Sequence, residues 1–369
     1  MAKLHPIDAE TPWQRTWRRR SAIAARSIGC AVVFIGLLGL TGWWAGIGVL
    51  RTVLPGLAQM KPNVGAALVL AGGGLSLGVF GVRRRRVRIA LGALGALIGA
   101  ATLVEYALGL GDVIDSLLVP GVAPRMTAAS AVALTVGGCG VVLTALPSRA
   151  GPAPVRAGVE TALAALVMVT GTLGLLGYLY GAGPMYHTKA FSSMALHTAL
   201  ALTLLGTGLV LCKPTQGLAR LLGSEGAGGV FARRLIGFFV LLTPVLGWVR
   251  LKGEDLGFYD TPFGLALMLA MTMVVGIAMV WWTAGALDRT DAWRATLQED
   301  LAASVSREHA TAAQRGAILN GLPAAVALLG PDGRVAAVNQ RWESVLVDPD
   351  QRAGVVGSCF ADWGGNALG

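Results

Sequence analysis

Charge is what this chain has least of. Of its 369 residues, 14% are charged and 54% hydrophobic, where an ordinary soluble domain carries roughly 25% charged. That excludes a single soluble globule and assigns most of the chain to lipid. Cysteine is scarce as well. Cys30, Cys139, Cys212 and Cys359 lie far apart, with no CxxC and no Cys/His ligand spacing, which excludes a disulfide framework and a zinc site. No P-loop, Gly-Gly-Asp-Glu-Phe pattern or nucleophile elbow occurs, so no catalytic site is legible. The first apolar run follows a polar arm and is too long for a cleaved leader; it is expected to stay as an anchor.

What is present is a series of apolar windows, near 22–44, 64–82, 88–109, 127–147, 155–178, 193–212, 233–249 and 263–283. Each approaches the length needed to cross roughly 30 Å of hydrocarbon, and eight spans are expected. Arg83, Arg84, Arg85 and Arg86 divide the second window from the third, because an arginine at mid-bilayer costs about 2.5–3.5 kcal/mol. The formal net charge of +10 is spent in such short clusters, which read as orientation signals rather than a nucleic-acid surface. Alternate loops hold the basic residues: Arg18 to Arg20, Arg83 to Arg88, Arg149 with Arg156, and Lys213 to Arg234. Asp112, Asp115, Glu254, Asp255 and Asp260 fall in the others. The positive-inside rule then places both termini in the cytoplasm, with Arg250 and Lys252 counting against it. Trp13 and Trp17 at one side, and Trp43, Trp44 and Trp248 at the other, suit interfacial belts.

An internal repeat runs through the windows. Met60, Met126 and Met194 each precede a run in which leucine follows eight residues on (Leu68, Leu134, Leu202). Glycine follows twelve and fourteen residues on, as Gly72 and Gly74, Gly138 and Gly140, Gly206 and Gly208. The unit is a helical hairpin, present three times, with a degenerate fourth copy expected over 233–283. Pairs such as Gly42/Gly46, Gly74/Gly78 and Gly95/Gly99 have the spacing that lets helices approach closely.

Beyond Trp282 the apolar density falls. Trp293, Leu297, Leu301 and Val305 recur every fourth residue among polar neighbours, which predicts an amphipathic helix. Its stripe fits either a short parallel dimer seam or a helix lying on its own domain or on the membrane surface. From Ala324 the pattern changes to a strand (325–329), a Gly330-Pro-Asp-Gly333 turn, a second strand (334–338) and a helix from Gln340. The expected divisions are an N-terminal arm (1–21), a membrane domain (22–283), a connector helix (284–317) and the start of an α+β domain (318–369). Some fifty residues are too few to bury a core, and that last domain is expected to be incomplete.

Leu322-Pro-Ala-Ala-Val-Ala-Leu-Leu-Gly-Pro-Asp-Gly-Arg-Val-Ala-Ala-Val-Asn-Gln-Arg-Trp342 resembles the opening of a PAS domain. Tyr178-Leu-Tyr-Gly181, Ser193-Met-Ala-Leu-His-Thr-Ala-Leu200 and Leu256-Gly-Phe-Tyr-Asp-Thr-Pro-Phe-Gly-Leu265 are similar to polytopic sensory regions of bacterial histidine kinases and diguanylate cyclases. The resemblance implies a mainly α protein of the inner membrane: an eight-helix bundle of repeated hairpins, a cytoplasmic connector helix and a truncated PAS fold. It further implies a sensory input module feeding an output domain, a histidine kinase before a diguanylate cyclase, with a response regulator downstream. A transporter or channel with a regulatory tail is the competing class. The expected partners are the lipid bilayer and a second copy through the connector. No cofactor is assigned. His309 lacks the His-Glu-Leu-Arg-Thr-Pro context of a phosphoacceptor and reads as a solvated helix face.

Four residues stand out as sensing candidates. His197 and Glu105 are ionisable groups within spans, where such groups are costly and often functional. His197 with His187 fits a metal or haem site, although nothing supplies the remaining ligands, or else a helix–helix hydrogen bond. Glu105, near a span end, fits a group reaching the interface. Asn339 and Trp342 fit either a ligand contact or a helix N-cap and a core residue.

Overall fold

The computed structural model describes residues 11–80, 84–109, 125–147, 154–181, 194–345 and 356–359. The chain divides into two units, Met1–Thr283 and Ala284–Gly369.

The first unit is helical. Its elements are α1 (Pro12–Trp44), α2 (Gly48–Thr52), α3 (Pro62–Ser76) with a 3-10 turn at Leu77–Phe80, α4 (Arg85–Leu108), α5 (Ala128–Ala145) and α6 (Pro154–Leu179). They are followed by α7 (Leu196–Leu211), α8 (Gly217–Leu222), α9 (Ala227–Asp255) and the start of α10 (Thr261–Gly321). Helix α1 begins well before the apolar run. Thr11 accepts from Gln14 N, Gln14 returns a bond to Thr11 N, and Pro12 sits at the first helical position. That capping box satisfies donors the helix would otherwise leave open. The arm expected over 1–21 therefore continues the first span as one helix from Pro12.

Among the described residues six helices are long and apolar enough to cross a membrane: α1, α4, α5, α6, α9 and the Thr261–Thr283 part of α10. Helices also fill the windows near 64–82 and 193–212, but α3 has 15 residues and α7 has 16. Both are shorter than the roughly 20 residues a perpendicular span needs.

The repeat governs the packing. Helix α1 lies along α3, α4 along α5, and α6 along α7, so each Met-led segment is the second arm of a hairpin. The three second arms, α3, α5 and α7, also touch one another, while each first arm bridges two of them. A side chain at Gly74 would meet Val141, one at Gly140 would meet Leu209, and one at Gly208 would meet Leu75. Those glycines lie fourteen residues after their methionines and their partners fifteen, so the contacts close a ring with pseudo-threefold symmetry. Leu68, Leu134 and Leu202 are all fully buried, as are the alanines that precede them, Ala67, Ala133 and Ala201.

The arms touch backbone to backbone. A Cβ on Gly138 would come within 2.5 Å of Gly92 O, and one on Gly29 within 2.9 Å of Gly72 O. Small residues permit that approach. Two of the expected glycine pairs serve otherwise: Gly46 lies in a turn with φ +70°, and Gly78 faces the Arg88 guanidinium.

The expected fourth hairpin is not built this way. Helices α9 and α10 make no lengthwise contact, and only 11% and 6% of their apolar windows are buried. Where they meet, Tyr259 bonds to Arg250 O at 3.0 Å and Arg234 stacks 4.7 Å from the Trp282 ring. Mid-helix glycines there make no such approach, since a Cβ on Gly237 or Gly276 would meet nothing within 4 Å.

In the second unit α10 continues to Gly321 and is followed by β1 (Ala327–Leu329), β2 (Val335–Val338) and α11 (Gln340–Val345). The strands pair antiparallel, Ala327 with Val338 and Leu328 with Ala337. The turn uses Gly333 at φ +73° and a Gly330 N to Arg334 O bond of 2.8 Å. Residues 356–359 add to the free edge of β2, through Val335 N to Ser358 O and Gly357 N to Val335 O. The sequence pattern did not reveal that pairing. These elements fit the opening of an α+β domain, without establishing its family.

Candidate functional site

Each ring hairpin is tied at its tip by one hydrogen bond of the same kind. The Trp43 indole donates to Met60 O at 2.7 Å, the Tyr106 hydroxyl to Met126 O at 2.8 Å, and the Tyr178 hydroxyl to Met194 O at 2.7 Å. The methionines sit just before α3, α5 and α7, where carbonyls precede the first turn and aromatic donors from the first arms can reach them. Arg51 lies 4.3 Å over the Trp43 ring and Arg125 4.6 Å over the Tyr106 ring, within cation–π range.

Polar side chains are buried at this Met end. Lys61, Asn63, Thr127, Ser130, His197 and Thr198 lie within four residues of the methionines and are each at most 8% exposed. Asn63 and His197 occupy the same repeat position, three residues after Met60 and Met194. The Asn63 carbonyl accepts from Val64 N at 2.8 Å, but its amide nitrogen has no partner among the described residues. Neither nitrogen of His197 has one. A buried imidazole without partners is costly and can bond to a polar ligand. Thr127 follows the rule instead: its hydroxyl accepts from Ser130 N and donates to Ser130 Oγ at 2.8 Å, capping α5.

Glu105 lies at the same end, next to Tyr106 on α4. It is 4% exposed, so it is enclosed by protein rather than reaching an interface. His187 lies outside the described residues. Among the described residues no group of three His, Cys, Asp or Glu is placed to hold a metal. Asn339 and Trp342 belong to the second unit. Asn339 is fully buried. Its side-chain oxygen accepts from Val326 N at 2.9 Å and Trp342 N at 3.0 Å, and its amide donates to Ala324 O at 2.8 Å. It caps α11 while clamping the start of the hairpin. Trp342 packs against the buried Val335.

The opposite end of the ring carries ion pairs that sequence reading missed. Glu160 on α6, 8% exposed in its side chain, accepts from Arg156 at 3.0 Å and Lys213 at 2.7 Å. Arg156 also donates to Leu143 O, Leu146 O and Pro147 O, closing the last carbonyls of α5 as a basic residue at a helix C-terminus does. Arg88 reaches Gly74 O at 3.2 Å and Thr144 Oγ1 at 3.4 Å. The available signal was a glutamate inside the 155–178 window. On the outside of the ring, Tyr180 donates to Pro244 O on α9 at 3.2 Å, and burial raises its phenol above the ordinary value.

The Met end therefore holds buried polar groups without partners among the described residues, and none of the described residues there forms a nucleophile–base pair. Comparison with family models, with curated proteins and with solved structures gives no match.

Proposed function

We propose that this chain is a membrane sensory input module: eight spans in a bacterial inner membrane, both termini cytoplasmic, feeding a PAS-type domain and an output of the histidine kinase class. The observation that supports it is α10. One helix runs from Thr261 to Gly321, apolar as far as Thr283, then polar, and is followed by the hairpin that Asn339 clamps. An unbroken helix between an apolar segment and a small α+β unit can carry a shift or rotation. The partnerless His197 and the enclosed Glu105 are the groups proposed to read a polar signal, directly or through the packing of the ring. The connector's Leu297, Leu301 and Val305 are exposed four residues apart, which supports a homodimer seam there. In this reading α3 and α7 cross the bilayer inside the ring, where neighbouring helices rather than lipid meet their ends.

The test is a fusion of a kinase module of known output after the second unit, with output read in bilayers of varied composition. A Pro-Gly insertion after Leu297 should abolish the response and leave basal output intact. An equal response with and without the insertion, or a carboxyl-terminal tag reached only from outside the cell, refutes the proposal.

A further inference from the structure

Helices α9 and α10 meet at their two ends, and the ends are held unequally. Beside the turn that joins them, the Tyr259 hydroxyl donates to Arg250 O at 3.0 Å, the Thr261 hydroxyl donates to Glu254, and Arg250 pairs with Glu254 at 3.1 Å. A side chain at Gly264 would meet both Tyr259 and Arg250. At the opposite end the contact is one stack, the Arg234 guanidinium 4.7 Å from the Trp282 ring, and the buried Nη1 of Arg234 has no hydrogen-bond partner among the described residues. We propose that this pair is a gauge of bilayer thickness, closed in a thin bilayer by the Arg234–Trp282 stack and opened at that end in a thick one.

The two helices differ in reach. The uncharged stretch of α9 is Leu235–Val249, 15 residues between Arg234 and Arg250, whereas Thr261–Thr283 of α10 is uncharged over 23 residues. At 1.5 Å per residue these cover about 22 Å and about 34 Å, on either side of the roughly 30 Å of a typical hydrocarbon layer. They cannot both match one bilayer. With both ends in contact, Arg234 and Arg250 stand about 24 Å apart along α9, and Gly264 and Trp282 about 27 Å apart along α10. The closed pair therefore suits a membrane thinner than average.

In a thicker membrane an arginine left in hydrocarbon is costly, and its side chain turns to the headgroups. Arg250 does so in place, because Glu254 lies one turn further from mid-helix. Arg234 does so by giving up Trp282, while α10 spans the thicker layer by standing more upright. Helix α9 stays where it is: Tyr180 donates to Pro244 O at 3.2 Å, and Arg233 holds Leu222 O and Ser224 O. Only 6% of the apolar window of α10 is buried, so the part that moves is its Trp282 end. This assignment rests on the membrane reading of both helices and names the signal for the sensor reading; its test reads a distance and needs no output domain, so the two fail separately.

The test places spin labels at I236C and V280C, exposed positions two residues from Arg234 and Trp282, in the full chain with Cys30, Cys139, Cys212 and Cys359 replaced by alanine. The chain is held in nanodiscs of phosphatidylcholine with fourteen-carbon or twenty-two-carbon monounsaturated tails, and double electron–electron resonance measures the separation. It should lengthen by about 5 Å or more from the short-tailed to the long-tailed lipid. Adding R234Q should give the long separation in both lipids, and the charge-matched R220Q, at an exposed position on α8, should repeat the parent. A separation that is equal in the two lipids, or that shortens in the long-tailed one, overturns the proposal. So does R234Q keeping the short separation in the short-tailed lipid. A separation that responds while a fused kinase does not supports the gauge and removes the sensor reading. The lipid comparison leaves Arg234 and Trp282 unaltered, so an R234Q chain that fails to fold leaves the proposal open to refutation.

Discussion

Adding one methyl group at Gly138 tests whether the ring is held by backbone contact. A Cβ there would lie 2.5 Å from both Gly92 O and Ala96 N, and ordinary contact begins near 3.4 Å, so α4 and α5 must part by about 0.9 Å. The obstructing atoms are backbone and cannot rotate away. Overpacking of this kind costs about 1–3 kcal/mol, against a helix-propensity gain of about 0.5–1 kcal/mol for glycine to alanine. The net expectation for Gly138→Ala is a loss of up to roughly 2.5 kcal/mol.

The same substitution at Gly158 or Gly237, each helical with nothing within 4 Å of the added carbon, should instead stabilise by the propensity term. Gly73→Ala is the sharper control, because Gly73 adjoins two ring glycines but meets only the Leu91 side chain, at 3.6 Å; it should be neutral or mildly stabilising. Denaturation from mild micelles by sodium dodecyl sulfate, followed by circular dichroism, measures all four variants. If Gly138→Ala proves as stable as Gly158→Ala, the arms are not packed as described and the repeat is a coincidence of composition.

Three further expectations follow from the same geometry. Tyr106→Phe and Tyr178→Phe each delete the bond to a methionine carbonyl and should cost about 0.5–1.5 kcal/mol in that denaturation, whereas Trp43→Phe also shrinks the ring beneath Arg51 and should cost more. Glu160→Gln removes the charge shared by Arg156 and Lys213 at an 8% exposed position. It should cost about 1–3 kcal/mol and lose sensitivity to added salt relative to the parent. Asn339→Ala breaks the cap and both clamp bonds, and hydrogen exchange at the Val326 amide should rise about tenfold or more. Asn339→Asp keeps both accepting roles and loses only the bond to Ala324 O, so it should fall between the two.

How much of this was legible depends on which side of the hairpin turn is considered. The methionine, leucine and glycine spacings ran along the second arms, and the structure buries Met60, Met126, Met194 and their leucines alike. The first arms carry the same register, with Gly36, Gly99 and Gly171 each seven residues before Trp43, Tyr106 and Tyr178. That register escaped notice because the aromatic residues precede their methionines by 17, 20 and 16 residues. Unequal turns hide a repeat from any single period. The span count followed apolar windows, which run past the ends of α3 and α7 because packing, not hydropathy, decides where those helices stop. Lys61 and Asn63 fall just ahead of the apolar window near 64–82, and no sequence signal marks them as the buried residues that the ring makes of them. The degenerate fourth hairpin was read from its apolar windows, and its glycines do not join the two helices: Gly237 and Gly276 have nothing within 4 Å, and Gly247 meets Tyr180.

That contrast bears on how a signal could cross the chain. The ring buries one face of each second arm and joins its arms through backbone, an arrangement with little room to adjust, since close-packed interiors respond to strain in discrete steps. Helices α9 and α10 leave Leu241, Val274, Ile277 and Trp281 more than half exposed, so in a membrane their surroundings are chiefly lipid. They touch the ring through small contacts, one of which is Tyr180 on Pro244. In the sensor reading, binding at the Met end would have to reach α10 through such contacts, whereas a change in the bilayer acts on α10 directly. The helix least held by the ring is therefore the one that runs on into the connector, and the division of the membrane unit into a rigid ring and a lipid-facing pair is what gives a two-state displacement somewhere to occur.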